Sequence, residues 1–67
     1  MDYEVFRSRK EAQARIATMA GWQAKPVQIY LPDHPDANRN GNIWVIEVDR
    51  GGGKGQPMYL RADGFVR

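Results

Sequence analysis

The chain has 67 residues, no cysteine, and a formal net charge of +2 with a pI of about 9.3. These values exclude disulfide staples and thiolate metal sites, and no apolar run reaches the roughly 20 residues needed to cross a bilayer as a helix. One domain with one small core is expected, and at this size only about 60% of the unfolded surface is hidden, so dimerisation or partner binding is a reasonable source of extra stability.

The opening residues, Met1-Asp2-Tyr3-Glu4, lack the basic and apolar regions of a signal peptide. A cytoplasmic chain is therefore expected. Residues 3–6 are predicted as a short strand. Ser8-Arg9-Lys10-Glu11 then fits a capping box, with Ser8 as N-cap and Glu11 reaching back from the third helical position. The spacing predicts a helix over residues 9–20 that stops at Gly21. Ala12, Ile16, Met19 and Ala20 fall on one apolar stripe, with Lys10, Glu11, Ala14 and Thr18 opposite.

Lys25-Pro26 reads as a turn into a second strand over residues 27–31, V-Q-I-Y-L, which alternates cleanly. A polar loop follows. The third strand, over residues 43–49, is the most apolar part of the chain. Residues 50–56, with four glycines, read as a hairpin connection, and Pro57 leads into a fourth strand over residues 58–61. Asp63-Gly64 is a turn signal that folds residues 65–67 back as a short fifth strand. The order is β-α-β-β-β(-β). Hairpin-length links favour a mainly antiparallel sheet, so the expected class is α+β, one domain over residues 1–67, with one helix on one sheet face.

That layout has a consequence for surface chemistry. In the simplest register Trp44, Ile46 and Val48 point toward the helix with Val27, Ile29, Leu31, Met58 and Leu60. The opposite face then carries Tyr30, Ile43, Val45 and Tyr59, with Gln28, Glu47 and Arg61 among them. Two aliphatics and two tyrosines rimmed by charge fit a partner-binding or dimerisation surface, for which Tyr30, Ile43, Val45, Tyr59 and Arg61 are the candidate residues. The bland alternative is that loops cover this face.

Residues 36–47, D-A-N-R-N-G-N-I-W-V-I-E, fit the calcium-loop pattern D-x-[DN]-x-[DN]-G-x5-E, with Asp36, Asn38, Asn40 and Glu47 as side-chain ligands. The flanks argue otherwise. Pro32 and Pro35 sit where an entering helix belongs, and the exit is rich in β-branched and aromatic residues. A strand there points Glu47 away from the loop. The expected reading is a turn at Asn40-Gly41 running into a strand, with no metal bound.

Other motifs fall short of chemistry. Lys54 in the glycine-rich loop is followed by Gly55 and a strand, whereas a phosphate loop needs Ser or Thr next and then a helix. His34 has Asp33 and Asp36 near it, a poor zinc set. The only serine, Ser8, is committed to capping, and Thr18 is distant in sequence from His34. Glu47 and Asp49 share a strand face, an ordinary arrangement at a sheet edge. No enzyme activity and no cofactor are expected. Two basic groups remain. Arg7, Arg9, Lys10 and Arg15 cluster at the helix start, and Arg50, Lys54 and Arg61 lie in or after the glycine loop. Basic side chains beside tyrosines suit phosphate contact plus base stacking, although acidic residues are interleaved throughout.

The helix segment K-E-A-Q-A-R-I-A, after a short first strand, and the later N-G-N-I-W-V-I-E-V resemble the layout of small phage-encoded inhibitors, including some anti-CRISPR proteins. The resemblance implies an intracellular protein that binds a protein or nucleoprotein target without catalysis, and it carries no functional residue with it. Three functional readings follow. One is a small inhibitor-like binding protein acting through the sheet face and the basic loop. Another is a nucleic-acid-binding module using the arginines. The third is a homodimeric accessory protein whose sheet face is its interface.

Overall fold

The structure, a computed structural model, describes residues 3–19, 23–49, 58–64 and 66. Helix α1 (Arg9–Ile16) is followed by β1 (Gln23–Tyr30), β2 (Asn42–Asp49) and β3 (Met58–Tyr59), and the three strands form an antiparallel sheet in the order β1-β2-β3. This is the expected α+β arrangement of one helix and a small antiparallel sheet.

The helix begins as its sequence dictates. Ser8 is extended and its Oγ accepts from the Glu11 N–H at 3.2 Å, while Glu11 Oε2 accepts from the Arg7 N–H at 3.0 Å. The reciprocal bond thus lands one residue before the cap, on an N–H outside the helix, and ties the entering chain to the first turn. The helix is shorter than expected. After Ile16 the backbone tightens, with Thr18 N–H donating to the Arg15 carbonyl at 3.0 Å and Met19 N–H to the Ile16 carbonyl at 2.8 Å. Such short-range bonds close the last turn by satisfying carbonyls that have no later helical partner. The expected ends at Ala20 and Gly21 lie outside the described residues.

β2 is the central strand and its aliphatics are buried on both faces. Ile46 and Val48 join Ala12 and Leu60 in a core against which Phe6, Ile16, Met19, Ala24, Trp44 and Val66 pack. Ala12, the buried residue of α1, has a methyl group only, so the helix backbone can approach the sheet closely. Burying each large aliphatic contributes roughly 1.5–3 kcal/mol. On the other face Ile43 and Val45 are 1% and 0% exposed.

β1 differs from the expected strand in length and in facing. It starts at Gln23, because Pro26 continues a strand there instead of turning it. Val27 lies opposite Val45 and Ile29 opposite Ile43, whereas Ala24, Pro26 and Gln28 lie opposite Val48, Ile46 and Trp44. Directly opposed residues share a face. Val27 and Ile29 therefore sit away from the helix, and Ala24 packs on the core side.

The far edge of β2 is shared. β3 runs beside Glu47 and Val48, and the Leu60 N–H donates to the Ile46 carbonyl at 3.0 Å. Beyond that point the N-terminal segment takes over, with Phe6 and Trp44 exchanging N–H···O bonds of 2.9 and 3.1 Å. Tyr3 bridges to Arg61, and Leu60 bridges to Val66. The expected first strand is thus two isolated bridges, at Tyr3 and Phe6, and of the expected last strand only Val66 lies among the described residues; the turn before it uses Gly64 at φ +88°. The glycine-rich connection lies outside the described residues.

Candidate partner-binding surface

The loop over residues 31–41 is built from its own polar side chains. The Asn38 Oδ1 accepts from the N–H groups of Asn40 and Asn42 at 2.9 and 3.0 Å, and the Gly41 N–H donates to the Asn38 carbonyl at 2.9 Å. His34 Nδ1 accepts from the Asp36 N–H at 3.0 Å. These local bonds are what Asn, His and Asp offer a chain without ladder partners. Gly41 has φ +79°, and a β-carbon on it would come within 2.8 Å of Tyr30 Cε1. Glycine is required there by backbone and by ring alike.

One ion pair joins this loop to the helix start. Arg7 Nη2 lies 3.0 Å from Asp36 Oδ1, and Arg7 Nε donates to the same oxygen at 3.1 Å. Arg9 and Lys10 on α1 and Arg39 in the loop are exposed. The joint sets the loop that carries Arg39 and the exposed carboxylate Asp33 against the segment that leads into α1. Arg39 and Gln28 were not singled out by sequence reasoning. Arg39 sits in a calcium-like pattern that draws attention to its oxygen-bearing neighbours, and Gln28 lies on the helix side opposite Trp44, not on the face away from the helix where alternation sets it.

The expected apolar sheet face is corrected. Ile43 and Val45 are core residues, so neither presents surface to a partner in this fold. Tyr30 is the exposed large hydrophobic of the described residues, at 69%, and it lies opposite Asn42 on the same side of the sheet as Trp44 and Ile46. It is on the helix side, past the part of β1 where Ala24 meets the core. Tyr59 and Arg61 are half-buried. Tyr59 meets Tyr3 edge-to-face with ring centroids 5.5 Å apart, and the Arg61 guanidinium stands 4.4 Å from the centre of the Tyr3 ring. That Tyr3 ring is engaged by an internal cation, which leaves less of it for stacking on a base.

The basic group at the helix start is divided. Arg7 is taken by Asp36, and Arg15 donates from Nε to Glu4 Oε1 at 2.9 Å. Arg9 and Lys10 are exposed. Arg50 and Lys54 lie outside the described residues.

The calcium-pattern residues do not converge on one point. Asp36 accepts from Arg7, Asn38 accepts from the backbone, and Glu47 lies within β2 with its Oε1 3.7 Å from Lys25 Nζ. At about 3.3 Å per residue, the five-residue run from Asn42 carries Glu47 roughly 16 Å along the strand. Among the described residues no group of His, Cys, Asp and Glu is arranged to hold a metal ion, and no helix is long and apolar enough to cross a membrane.

No protein-family model, no curated protein and no solved structure matches this chain.

Proposed function

We propose that the chain is a small non-enzymatic binding protein acting on a protein or nucleoprotein partner, as a phage-type inhibitor does. The observation that supports this reading is the Arg7–Asp36 joint, which sets the 31–41 loop, with its exposed Arg39, against the segment leading into α1, where Arg9 and Lys10 are exposed. Several side chains suited to chemistry have internal partners: Glu4, Asp36 and Glu47 each face a cation, and His34 Nδ1 accepts from the Asp36 N–H. The exposed cations suit an acidic protein surface or a phosphate-bearing one, where they speed association more than they strengthen it. Direct nucleic-acid binding is the weaker reading, because two of the four helix-start cations are already neutralised by carboxylates.

The test is capture from a host lysate with tagged protein, with and without nuclease, beside a variant carrying Arg9→Glu, Lys10→Glu and Arg39→Glu. A specific partner retained after nuclease and lost by the variant is the expected result. A partner lost with nuclease alone would assign the chain to nucleic acid, and a partner held equally by both proteins would move the site elsewhere.

A further inference from the structure

The register of β1 determines which of its backbone groups face outward. The Leu31 N–H donates to the Gly41 carbonyl at 2.8 Å, which continues the β1–β2 ladder, and β2 turns its Trp44 and Ile46 backbone groups to the other side. Antiparallel ladders alternate strictly. Hence Lys25, Val27 and Ile29 bond inward to β2, while Ala24, Pro26, Gln28 and Tyr30 aim their backbone at the outer edge. Among the described residues no strand pairs with that edge.

Pro26 occupies an outward position, where its missing N–H costs β1 nothing and blocks pairing locally. At the other end the chain leaves the edge at Pro32, in a turn closed by the His34 N–H on the Leu31 carbonyl at 3.0 Å. An open window remains, at Gln28 and Tyr30. Its residues, V-Q-I-Y-L over 27–31, carry no charge. Natural edges are commonly guarded by charge, and this window is not.

We propose that a second copy of this chain pairs with β1 at this window, antiparallel and two-fold about Ile29. Each Gln28 N–H then donates to the second copy's Tyr30 carbonyl, and each Tyr30 N–H to the second copy's Gln28 carbonyl. Pro26 falls opposite the Pro32 turn, so no proline is asked to donate. A centre one residue earlier sets Pro26 opposite Tyr30, and a centre two residues earlier sets it opposite Gln28, and either leaves a carbonyl without a donor. The self-matching pattern favours a second copy over a foreign strand, and two neutral windows meet without repulsion. The exposed Tyr30 rings become diagonal neighbours, within aromatic reach across the strands. The pairing is isologous and closes as a dimer.

The test uses the purified chain alone, so it stands apart from the search for a partner. Sedimentation equilibrium over a concentration series should show a monomer–dimer equilibrium. Gln28→Pro removes an outward donor and leaves the β1–β2 ladder intact, so it should weaken association by about a hundredfold. In the unaltered chain, the Gln28 and Tyr30 amides should gain hydrogen-exchange protection with concentration while Ile29 does not change. A monomer at every concentration, or a dimer unaffected by Gln28→Pro, would overturn the proposal. If Gln28→Pro fails to fold, the amide pattern decides, and equal protection changes at Gln28, Ile29 and Tyr30 would refute the register.

Discussion

The Arg7 guanidinium and the Asp36 carboxylate meet at 3.0 Å although 29 residues separate them. Their side chains are 74% and 34% exposed, so solvent screens the pair. Asp36→Ala should therefore cost under about 1 kcal/mol of stability. Its effect should fall on order: amides over residues 36–40 should exchange faster while those of β2 do not. Thermal unfolding with residue-resolved exchange checks this, and unchanged loop exchange would show that Asn38 holds the loop without the joint.

Gly41 and Gly64 make an internal comparison. Both have positive φ, +79° and +88°, but only Gly41 faces other atoms, whereas a β-carbon on Gly64 meets nothing within 4 Å. Gly64→Ala should cost the roughly 1–2 kcal/mol of a left-handed backbone. Gly41→Ala should cost more than that, because the Tyr30 ring and Pro32 must also shift. Paired denaturant titrations measure the difference, and equal losses would mean that the ring yields freely.

The Ser8 cap offers a third check. Removing its Oγ in Ser8→Ala leaves the Glu11 N–H without its side-chain acceptor, and the expected loss is about 1 kcal/mol. Ser8→Asp should keep the acceptor and retain most of the stability. If both variants behave alike, packing of Ala12 and Ile16 carries the helix and the cap is incidental.

The elements visible in the sequence were those governed by local chemistry. The capping box placed the start of α1 at Arg9, and the β-branched run placed β2 with Trp44, Ile46 and Val48 toward the helix, as observed. What stayed hidden depended on neighbours. Alternation in V-Q-I-Y-L is real, but it does not say which face the helix covers when β2 is apolar on both. The register against β2 decides that, setting Ala24 rather than Val27 or Ile29 on the core side, and Lys25-Pro26 resembles a turn unless the outward facing of Pro26 is known. The candidate surface was only partly legible. Its cations Arg9 and Lys10 could be named, but the Arg7–Asp36 joint that sets the Arg39-bearing loop against the helix start depends on a tertiary contact.

The face bearing Ile43 and Val45 is core, which is why the proposed contacts are assigned to the β1 edge and to exposed cations instead. Val45→Lys tests it most directly. Val45 is fully buried, and forcing an ammonium into that position costs several kcal/mol, against a total stability of about 5 kcal/mol at the lower end for small domains. The measurement is amide chemical-shift dispersion with near-ultraviolet circular dichroism of the isolated variant. The account predicts collapse of both signals. A variant that keeps its native spectrum and loses only partner binding or self-association would contradict it, and would make that face the interface.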